Sequence, residues 1–386
     1  LREGDMLCRL GSDDFALILE QVSGESHIIA VVNKIIAAVS EPVILGDGQA
    51  QVSARLGIAV FPVDGNEPQA LIRHAETALQ RAKVTGKNNH VFFTPDMLEH
   101  EEQWGNLGAE LTRALDENEL CLHLQPQVNL SDGRLRGLEA LLRWQHPERG
   151  FVSPGDFISL AEDTGLIVPI GMWVLKQACQ QLAKWQWQSH TTRNLFMSVN
   201  LSSKQLAQSA LVNQIRDVLQ ETHVEPKHLK LEITESAVME NAETAVQLLR
   251  RLKALGVQLS IDDFGTGYSS LGYLHRFPVD ILKIDRSFVG RIAEAAENIE
   301  IVRTIVSLAD NMGMEVVAEG VETLAQFSQL RALNCQFGQG YLFSRPVEAS
   351  AIDGWISRTP DWQVALFPKG EFVAPAKTPV VQLRSA

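Results

Sequence analysis

Eight short β-rich runs in the sequence each carry, within the run or at its C-terminal end, a polar or charged side chain that could act as a ligand or catalyst. Those side chains are Gln125, Glu139, Asn200, Glu232, Asp262, Lys283, Glu319 and Gln339. Carboxylate and amide oxygens are the ligands that hard divalent cations prefer. Carboxylates brought together repel one another unless they are protonated or bind cations. Because no His or Cys stands among the eight, the set favours Mg²⁺ or Mn²⁺ over zinc.

These side chains meet only if the runs that carry them are neighbouring strands. The runs are CLHLQPQV, LRGLEALLRW, LFMSVNL, LKLEIT, VQLSID, ILKID, EVVAEG and GQGYLF, in chain order. Eight β-rich runs that alternate with amphipathic helical stretches between residues 120 and 345 predict a (β/α)8 barrel. In such a barrel the C-terminal strand ends converge on one face, the barrel mouth, where active sites lie.

The connection between the first two runs predicts an irregularity in this barrel. A short polar turn from Asn129 to Arg134 joins them and leaves no room for a crossover helix. Two strands joined in this way are antiparallel. We therefore predict an α/β fold built on an irregular (β/α)8 TIM-type barrel whose first strand runs against the others.

Asp262 and Asp263 stand next to each other at a strand end, where two carboxylates can reach two cations. Two cations can neutralise an anionic phosphodiester, lower the pKa of a bound water and stabilise the leaving oxygen. The following Gly265-Thr266-Gly267 stretch gives the backbone the freedom of a mobile loop beside such a site. A plain strand-to-helix turn is the alternative interpretation of that stretch.

The composition limits the classes of protein to which the chain can belong. It has 386 residues, of which 45% are hydrophobic and 21% charged, as in a folded globular protein of two domains or a barrel with a smaller partner. The net charge of −13 argues against DNA or an anionic membrane as a partner. The longest apolar stretch, from Leu166 to Leu175, is too short to insert into a bilayer.

The cysteines and the first residues bear on localisation. Cys8, Cys121, Cys179 and Cys335 form no CxxC pair, so the sequence indicates neither a disulfide framework nor a zinc site, and a reducing, cytoplasmic compartment fits best. The chain begins Leu-Arg-Glu, with neither an initiator Met nor the apolar core of a signal peptide. We expect a piece of a longer protein, which leaves open a membrane anchor upstream.

An ordered series of motifs carries a family resemblance. The motifs are EALLRW at 139–144, NLS at 200–202, EITES at 232–236, DDFGTGYSSL at 262–271, LKID at 282–285, AEGVET at 318–323 and GQGYLFSRP at 338–346. The region from about 107 to 358 resembles an EAL domain, the cyclic di-GMP phosphodiesterase barrel of bacterial signalling. The resemblance implies hydrolysis of cyclic di-GMP to linear pGpG with two Mg²⁺ or Mn²⁺ ions, inhibition by Ca²⁺, and a homodimer formed through the barrel.

The resemblance also implies a role for individual residues. The implied metal ligands are Glu139, Asn200, Glu232, Asp262, Asp263 and Glu319. The implied catalytic residues are Glu139, Asp263, Lys283 and Glu319, with Lys283 orienting the attacking water or stabilising charge. The implied substrate contacts are Gln125, Leu141, Arg143 and Gln339, with Arg143 at a phosphate. The implied supporting residues are Glu322 and, around a loop that Glu235 anchors, Gly265, Thr266 and Gly267.

Two other functions compete with hydrolysis. A non-catalytic receptor would bind cyclic di-GMP and signal to a partner protein, but a receptor needs no metal pair that activates water. A scaffold with a relic barrel would leave the buried charges unexplained. The complete carboxylate set therefore favours an enzyme.

Residues 1–95 resemble the second half of a GGDEF domain, the diguanylate cyclase fold. The signature GSDDF at 11–15 has Ser12 in place of the second Gly and Asp14 in place of the Glu. Ser12 crowds a turn that substrate approaches, and the shorter Asp14 side chain withdraws a metal ligand by about 1.5 Å. We expect no cyclase activity. Arg2 and Asp5 stand where the family carries its product-binding RxxD, with a surface ion pair as the alternative.

The resulting domain prediction has four parts. We expect a partial, degenerate GGDEF domain at 1–95, a connector helix at 96–106, an EAL domain at 107–358 and a tail at 359–386. The tail contains Pro368, Pro375 and Pro379 with little periodicity, so we expect an extended or flexible segment from 361 onward.

Overall fold

The computed structural model describes residues 2, 4–11, 14–41, 43–45, 48–50, 52–84, 88–189, 192–239, 241–266, 271–292 and 296–367. Ser12, Gly267 and the residues after 367, which enter the predictions above, lie outside these ranges. The chain divides into two compact units, Leu1–Glu110 and Leu111–Ala386. Within the described ranges, every helix is too short or too polar to cross a bilayer.

The first unit contains three pairs of short strands. Its elements are β1 Met6–Arg9, β2 Phe15–Ile18, α1 Glu25–Val39, β3 Val43–Leu45, β4 Gly48–Ala50, β5 Arg55–Ile58, α2 Pro68–Val84 and β6 Asn89–Phe92, followed by α3 Asp96–Asp116. Strands β1 and β2 form an antiparallel hairpin. Strands β5 and β6 are parallel and α2 connects them. Gly57 of β5 lets this helix pack on the strand backbone, since an added Cβ would lie 2.0 Å from the Ala75 carbonyl oxygen.

The second unit is a closed barrel of eight strands. The eight barrel strands are β7 Leu120–Asn129, β8 Leu135–His146, β10 Phe196–Leu201, β11 Leu229–Thr234, β12 Gln258–Phe264, β13 Ile281–Ile284, β14 Glu315–Ala318 and β15 Phe337–Gly338, and a ninth strand, β9 Gly150–Val152, pairs with β8 outside the closed ring. They are ordered β10-β11-β12-β13-β14-β15-β7-β8, and β8 pairs back to β10 to close the barrel. Strand β7 is antiparallel to both its neighbours, and the other barrel pairs are parallel. The predicted irregular barrel with one reversed strand is confirmed.

Helices surround this barrel. They are α4 Pro154–Thr164, α5 Ile167–Gln188, α6 Ser203–Leu206, α7 Leu211–Thr222, α8 Glu235–Met239, α9 Ala242–Lys253, α10 Leu271–Leu274, α11 Arg286–Gly290, α12 Ala296–Asn311, α13 Leu324–Ala332, α14 Ala349–Ser357 and α15 Asp361–Leu366. Their apolar stripes are buried, as with Leu211, Ile215 and Leu219 of α7. At the start of α13, Thr323 and Gln326 form a capping box that satisfies backbone N–H groups.

The extended segment predicted from residue 361 is wrong for residues 361–366, which form α15. Trp362 explains the difference. Its side chain is buried, and its indole N–H donates to the Gly133 carbonyl oxygen at 3.2 Å. Burial of a large aromatic ring offsets the entropy cost of ordering a short helix that has no strong sequence signal of its own.

Near the N-terminal ends of the parallel strands, a buried lysine packs against two aromatic rings. The Lys230 amine lies 3.4 Å from the centroid of the Phe196 ring and 5.4 Å from that of Phe337. Gly137 of the neighbouring strand β8 pairs with Phe196. A Cβ added to Gly137 would lie 1.9 Å from the Phe196 ring. Only glycine at position 137 leaves Phe196 the space in which it packs.

We predict that Gly137→Ala destabilises the barrel unit by about 1–3 kcal/mol, because a methyl group would displace a ring held in a packed interior. Gly354→Ala is the matched control, since an added Cβ on this residue of α14 meets no atom within 4 Å. Alanine in a helix should leave stability unchanged or raise it by up to about 1 kcal/mol. Urea unfolding of both variants tests this, and equal midpoints would contradict the packing argument.

Candidate active site

Lys283 of β13 is at the centre of the barrel mouth. Its side chain is 1% exposed, and its Nζ lies 2.6 Å from Glu232 Oε2 and 2.6 Å from Glu319 Oε1. The same Nζ lies 3.1 Å from Asp262 Oδ2 and 3.5 Å from Glu139 Oε2. One buried ammonium is therefore shared by four carboxylates that come from four different barrel strands or the residues directly after them.

Amide side chains complete the cluster on the side of the reversed strand. Asn200 Nδ2 donates to Glu139 Oε1 at 2.7 Å, and Gln339 Nε2 donates to Glu139 Oε2 at 2.5 Å. Gln339 Nε2 also donates to Gln125 Oε1 at 3.0 Å. Through these contacts and those of Lys283, the structure joins all eight strand-end side chains named from the sequence into one connected group.

Gln127 belongs to this group and was missed by the sequence analysis. It is 1% exposed, and its Nε2 donates to Gln339 Oε1 at 3.0 Å and lies 3.5 Å from Glu232 Oε1. The signal was present, because side chains two residues apart on a strand share a face and Gln125 already pointed inward. Gln127 ties the amides of the reversed strand to the carboxylates of the parallel strands.

A β-bulge explains how two consecutive aspartates face the same site. On β12, Ile261 pairs with Leu282 and Phe264 with Ile284, so Asp262 and Asp263 together oppose a single residue of β13. Asp263 has φ +55°, a left-handed conformation that is costly for a non-glycine residue. Burial, the charge of Asp262 and that of Asp285, which the sequence analysis also left out, raise the pKa of Asp263.

The backbone after the bulge is tied to Glu235 at the start of α8. Glu235 Oε2 accepts a hydrogen bond from the Gly265 N–H at 3.0 Å, and Glu235 is 5% exposed. Thr266 Oγ1 donates to the Asp263 carbonyl oxygen at 2.8 Å. Gly265 has φ +95°, which favours glycine. The described part of the loop is thus held at the Glu235 carboxylate.

Strands β7 and β8 continue beyond the barrel and form one side of the site. We call this side the mouth wall, and it consists of residues 120–125 and 139–146. Cross-strand pairing of Gln125 with Glu139 and of Cys121 with Arg143 places these side chains on one face of the wall. Leu141 lies between them and faces the same way. Arg143 is half-buried and donates to the Leu142 carbonyl oxygen at 2.8 Å, and burial lowers the pKa of Arg143.

Glu322 of the second unit and Arg2 and Asp5 of the first unit were also named from the sequence. Glu322 is exposed, and its backbone N–H donates to Gln326 Oε1 at 2.7 Å at the start of α13. In the first unit, Asp5 Oδ2 accepts from the Arg2 backbone N–H at 2.8 Å, which describes a local turn. The roles given to Glu322, Arg2 and Asp5 stay predictions.

The mouth carries more negative charge than its one lysine can balance. Burial and the charges of Glu139 and Asp262 raise the pKa of Glu232 to about 8, although Lys283 opposes them. Burial raises the pKa of Glu319 to about 7 in the same way. These shifts coexist with the close contacts to Lys283 because its single positive charge is divided among four carboxylates.

The pKa shifts of Glu139 and Lys283 each favour the charged form of the group. Burial alone would raise the pKa of Glu139, but the charge of Lys283 and hydrogen bonds from Gln339 and Asn200 outweigh it, so this pKa is lowered. Burial alone would lower the pKa of Lys283, but the surrounding carboxylates raise it well above its ordinary value. Lys283 therefore holds its proton, and Glu139 stays ionised.

The donor set fits a divalent cation. Carboxylate oxygens of Asp262, Asp263 and Glu319 all lie within 4.8 Å of one another. With Glu139 and Glu232 they make five carboxylates around a single ammonium, and a hard cation would remove the repulsion that raises the pKa values of Glu232 and Glu319. The arrangement can thus hold cations and an anionic substrate together.

Comparison with known proteins identifies the family. The family model described as "EAL domain" matches residues 109–346, more than half of the chain. The chain belongs to the EAL domain family. The model described as "Diguanylate cyclase, GGDEF domain" matches residues 1–89, so part of a GGDEF domain precedes the EAL domain.

Curated relatives cover both parts of the chain. The "Bifunctional diguanylate cyclase/cyclic di-GMP phosphodiesterase MucR" of Pseudomonas aeruginosa is 41% identical over 352 residues, which are 91% of this chain and 51% of that protein. The "Cyclic di-GMP phosphodiesterase NbdA" of the same organism is 39% identical over 357 residues, 92% of this chain and 45% of that protein. The chain spans about half the length of these relatives.

A solved structure covers the EAL domain. The structure described as "PaMucR Phosphodiesterase, c-di-GMP complex" has 46% sequence identity and a TM-score of 0.62, and the match covers 64% of this chain and 99% of that one. That protein binds cyclic di-GMP on the same fold.

We predict that Mg²⁺ binding releases protons, because Glu232 and Glu319, with pKa values of about 8 and 7, must be ionised to act as ligands. A cation therefore competes with protons below about pH 8, and Mg²⁺ affinity should rise with pH up to that value and then level off. Calorimetry at pH 6 in buffers of different ionisation enthalpy should show up to about two protons released. An affinity that does not change between pH 6 and pH 9 would contradict this.

We predict that Glu235→Ala weakens Mg²⁺ binding by about 10- to 100-fold without unfolding the barrel, because the Gly265 N–H loses its acceptor and Asp263 loses its support. If the barrel dimerises beside this loop, dimerisation should weaken together with metal binding. Glu235→Gln keeps an acceptor oxygen and is the matched control. Metal titration and sedimentation test this, and an unchanged titration in the Ala variant would remove the anchoring role.

Proposed function

We propose that the EAL domain hydrolyses cyclic di-GMP to linear pGpG with Mg²⁺ or Mn²⁺. The observation that carries this proposal is the barrel mouth, where one buried ammonium is shared by Glu139, Glu232, Asp262 and Glu319. Such a site attracts divalent cations, and divalent cations attract the anionic phosphodiester that bare carboxylates would repel. The names of the relatives, which are cyclic di-GMP phosphodiesterases, support the same substrate.

The residues that would hold the cations fall into two overlapping sets. Glu139, Asn200, Glu232 and Asp262 would ligate one cation, and Asp263 and Glu319 would help to hold the other. When bound, the cations would neutralise the phosphodiester and lower the pKa of the attacking water. The bulge at Asp263 would allow one strand to supply ligands to both cations, because it turns a second carboxylate of β12 toward the mouth.

The other side chains position substrate and protons. Lys283 keeps its proton and can orient the attacking water or stabilise the charge that develops on the phosphate. Arg143 on the mouth wall can donate to a phosphate oxygen, and Leu141 and Gln125 face the same space for contact with the nucleotide. Gln339 keeps Glu139 in place through the bond at 2.5 Å.

A non-catalytic receptor for cyclic di-GMP is less well supported. It would use Arg143 and the mouth wall but would gain nothing from five carboxylates whose mutual repulsion opposes folding when they are ionised. We propose that the active form is a homodimer through the barrel, and that DNA and membranes are not partners of this chain.

We also propose the division of the chain into 1–95, 96–106, 107–358 and 359–386 and a regulatory, non-cyclase role for the first part. The altered signature with Ser12 and Asp14 supports that role. Cytoplasmic localisation is proposed for the chain on the basis of its cysteines.

We predict that the purified chain with Mg²⁺ or Mn²⁺ converts cyclic di-GMP to pGpG, and that EDTA abolishes the reaction. Glu139→Ala should lower turnover at least about 100-fold by removing a ligand. Glu315→Ala is the matched control. Glu315 is also a glutamate on a barrel strand, but its side chain is 50% exposed and its carboxylate faces the Lys230 amine rather than the Lys283 amine. Chromatographic product analysis tests this. Full activity in metal-stripped protein would contradict the proposal.

We predict that Ca²⁺ inhibits turnover while still supporting binding of cyclic di-GMP. Ca²⁺ prefers oxygen distances of about 2.3–2.6 Å and six to eight ligands, whereas Mg²⁺ holds about 2.0–2.1 Å in an octahedron. The larger ion would widen the spacing needed to clamp the attacking and leaving oxygens. Turnover at fixed Mg²⁺ should fall as Ca²⁺ rises. Equal turnover with Ca²⁺ alone would show that the geometry is less strict than proposed.

A further inference from the structure

Tyr341 is an exposed aromatic side chain two residues after Gln339, which belongs to the cluster at the mouth. Its side chain is 50% exposed. Gln339 Nε2 donates to Gln125 Oε1 of the mouth wall at 3.0 Å, so the turn that carries Tyr341 adjoins the wall that carries Arg143. An aromatic ring therefore stands in water on a turn next to the wall that holds the residue proposed to contact a phosphate.

The backbone around Tyr341 is rigidly held. The Val321 N–H donates to the Gln339 carbonyl oxygen at 3.0 Å, and the Leu342 N–H donates to the Val321 carbonyl oxygen at 2.9 Å. On the other side, Gln125 Nε2 donates to the Ser344 carbonyl oxygen at 3.1 Å. Gly340 permits this close approach, since an added Cβ would lie 2.3 Å from Val321 N. Tyr341 is thus presented on a turn fixed to the cluster.

Arg345 covers one face of the Tyr341 ring. Its Cζ lies 4.3 Å from the ring centroid, within the range of a cation–π contact, and the Arg345 side chain is exposed. A guanidinium on one face helps to hold the ring in place, while half of the Tyr341 side chain stays exposed to solvent. In a chain of net charge −13, this arginine-backed tyrosine on a turn next to the wall that carries Arg143 forms a local site suited to an anion that carries an aromatic group.

We propose that Tyr341, backed by Arg345, is the stacking surface for one purine base of the dinucleotide whose phosphate Arg143 contacts. The inference rests on the proposed function and adds a base-binding residue to it. A base stacks on an aromatic face with little dependence on sequence, so this contact supplies affinity and orientation. Arg345 is a positioning residue, because it acts through the Tyr341 ring.

The test measures cyclic di-GMP binding in Ca²⁺ and steady-state hydrolysis in Mg²⁺ for Tyr341→Ala, Tyr341→Phe and Arg345→Met. Tyr341→Ala should weaken binding by about 5- to 150-fold, the range for loss of one stacked base, with the loss in KM rather than kcat. Tyr341→Phe should recover most of that loss because it keeps the ring. Arg345→Met should weaken binding by about 2- to 30-fold through the lost cation–π contact.

The control variant is Trp187→Ala, which removes another exposed aromatic, 91% exposed near the C-terminal end of α5, and should leave both constants unchanged. If wild type hydrolyses cyclic di-GMP but Tyr341→Ala keeps wild-type affinity, only the stacking inference is overturned. A kcat that falls as far as the affinity, or a Phe variant as weak as the Ala variant, overturns it as well. If wild type neither binds nor hydrolyses cyclic di-GMP, the proposed function fails, and the inference fails with it.

Discussion

The barrel mouth depends on one buried positive charge. Lys283, 1% exposed, lies within 3.5 Å of carboxylate oxygens from Glu139, Glu232, Asp262 and Glu319. Removing one partner from a buried ionic cluster leaves an uncompensated charge, which costs about 3–5 kcal/mol. The cluster is nevertheless under-neutralised, as the raised pKa values of Glu232 and Glu319 show. A site in this state gains stability from any divalent cation it binds, and that gain connects the fold to the proposed chemistry.

Two departures from regular strand geometry place the ligands around that charge. The reversed strand β7 brings Gln125 and Gln127 to the mouth by a hairpin, and these amides connect to Gln339 and Glu232. The bulge in β12 turns Asp263 to the same side as Asp262. In a regular strand, successive side chains face opposite sides, so Asp263 would point away from the mouth. The positive φ of Asp263 costs free energy that the Glu235–Gly265 contact and, we propose, a bound cation offset.

The sequence predicted the barrel and its reversed strand because both follow from short-range signals, namely eight β-rich runs and a turn too short for a crossover helix. It also predicted the eight strand-end side chains, since strand ends of a barrel converge whatever the helices do. It did not predict β9, which forms a short local hairpin with β8. It also did not predict the helix α15 or the bulge, because these depend on contacts more distant in sequence, such as Trp362 with Gly133. Gln127 was available from strand alternation but stood behind a proline that obscured the pattern.

The most direct test of this account is anomalous diffraction from crystals of the chain grown with Mn²⁺ and cyclic di-GMP under conditions that slow turnover. The account predicts two anomalous peaks at the barrel mouth, about 3.5–4 Å apart, with Asp262 near both and Lys283 retained beside them. Mn²⁺ found elsewhere on the protein, or a mouth in which Lys283 keeps all four carboxylates and no peak appears at saturating Mn²⁺, would contradict the claim that the under-neutralised cluster is a metal site.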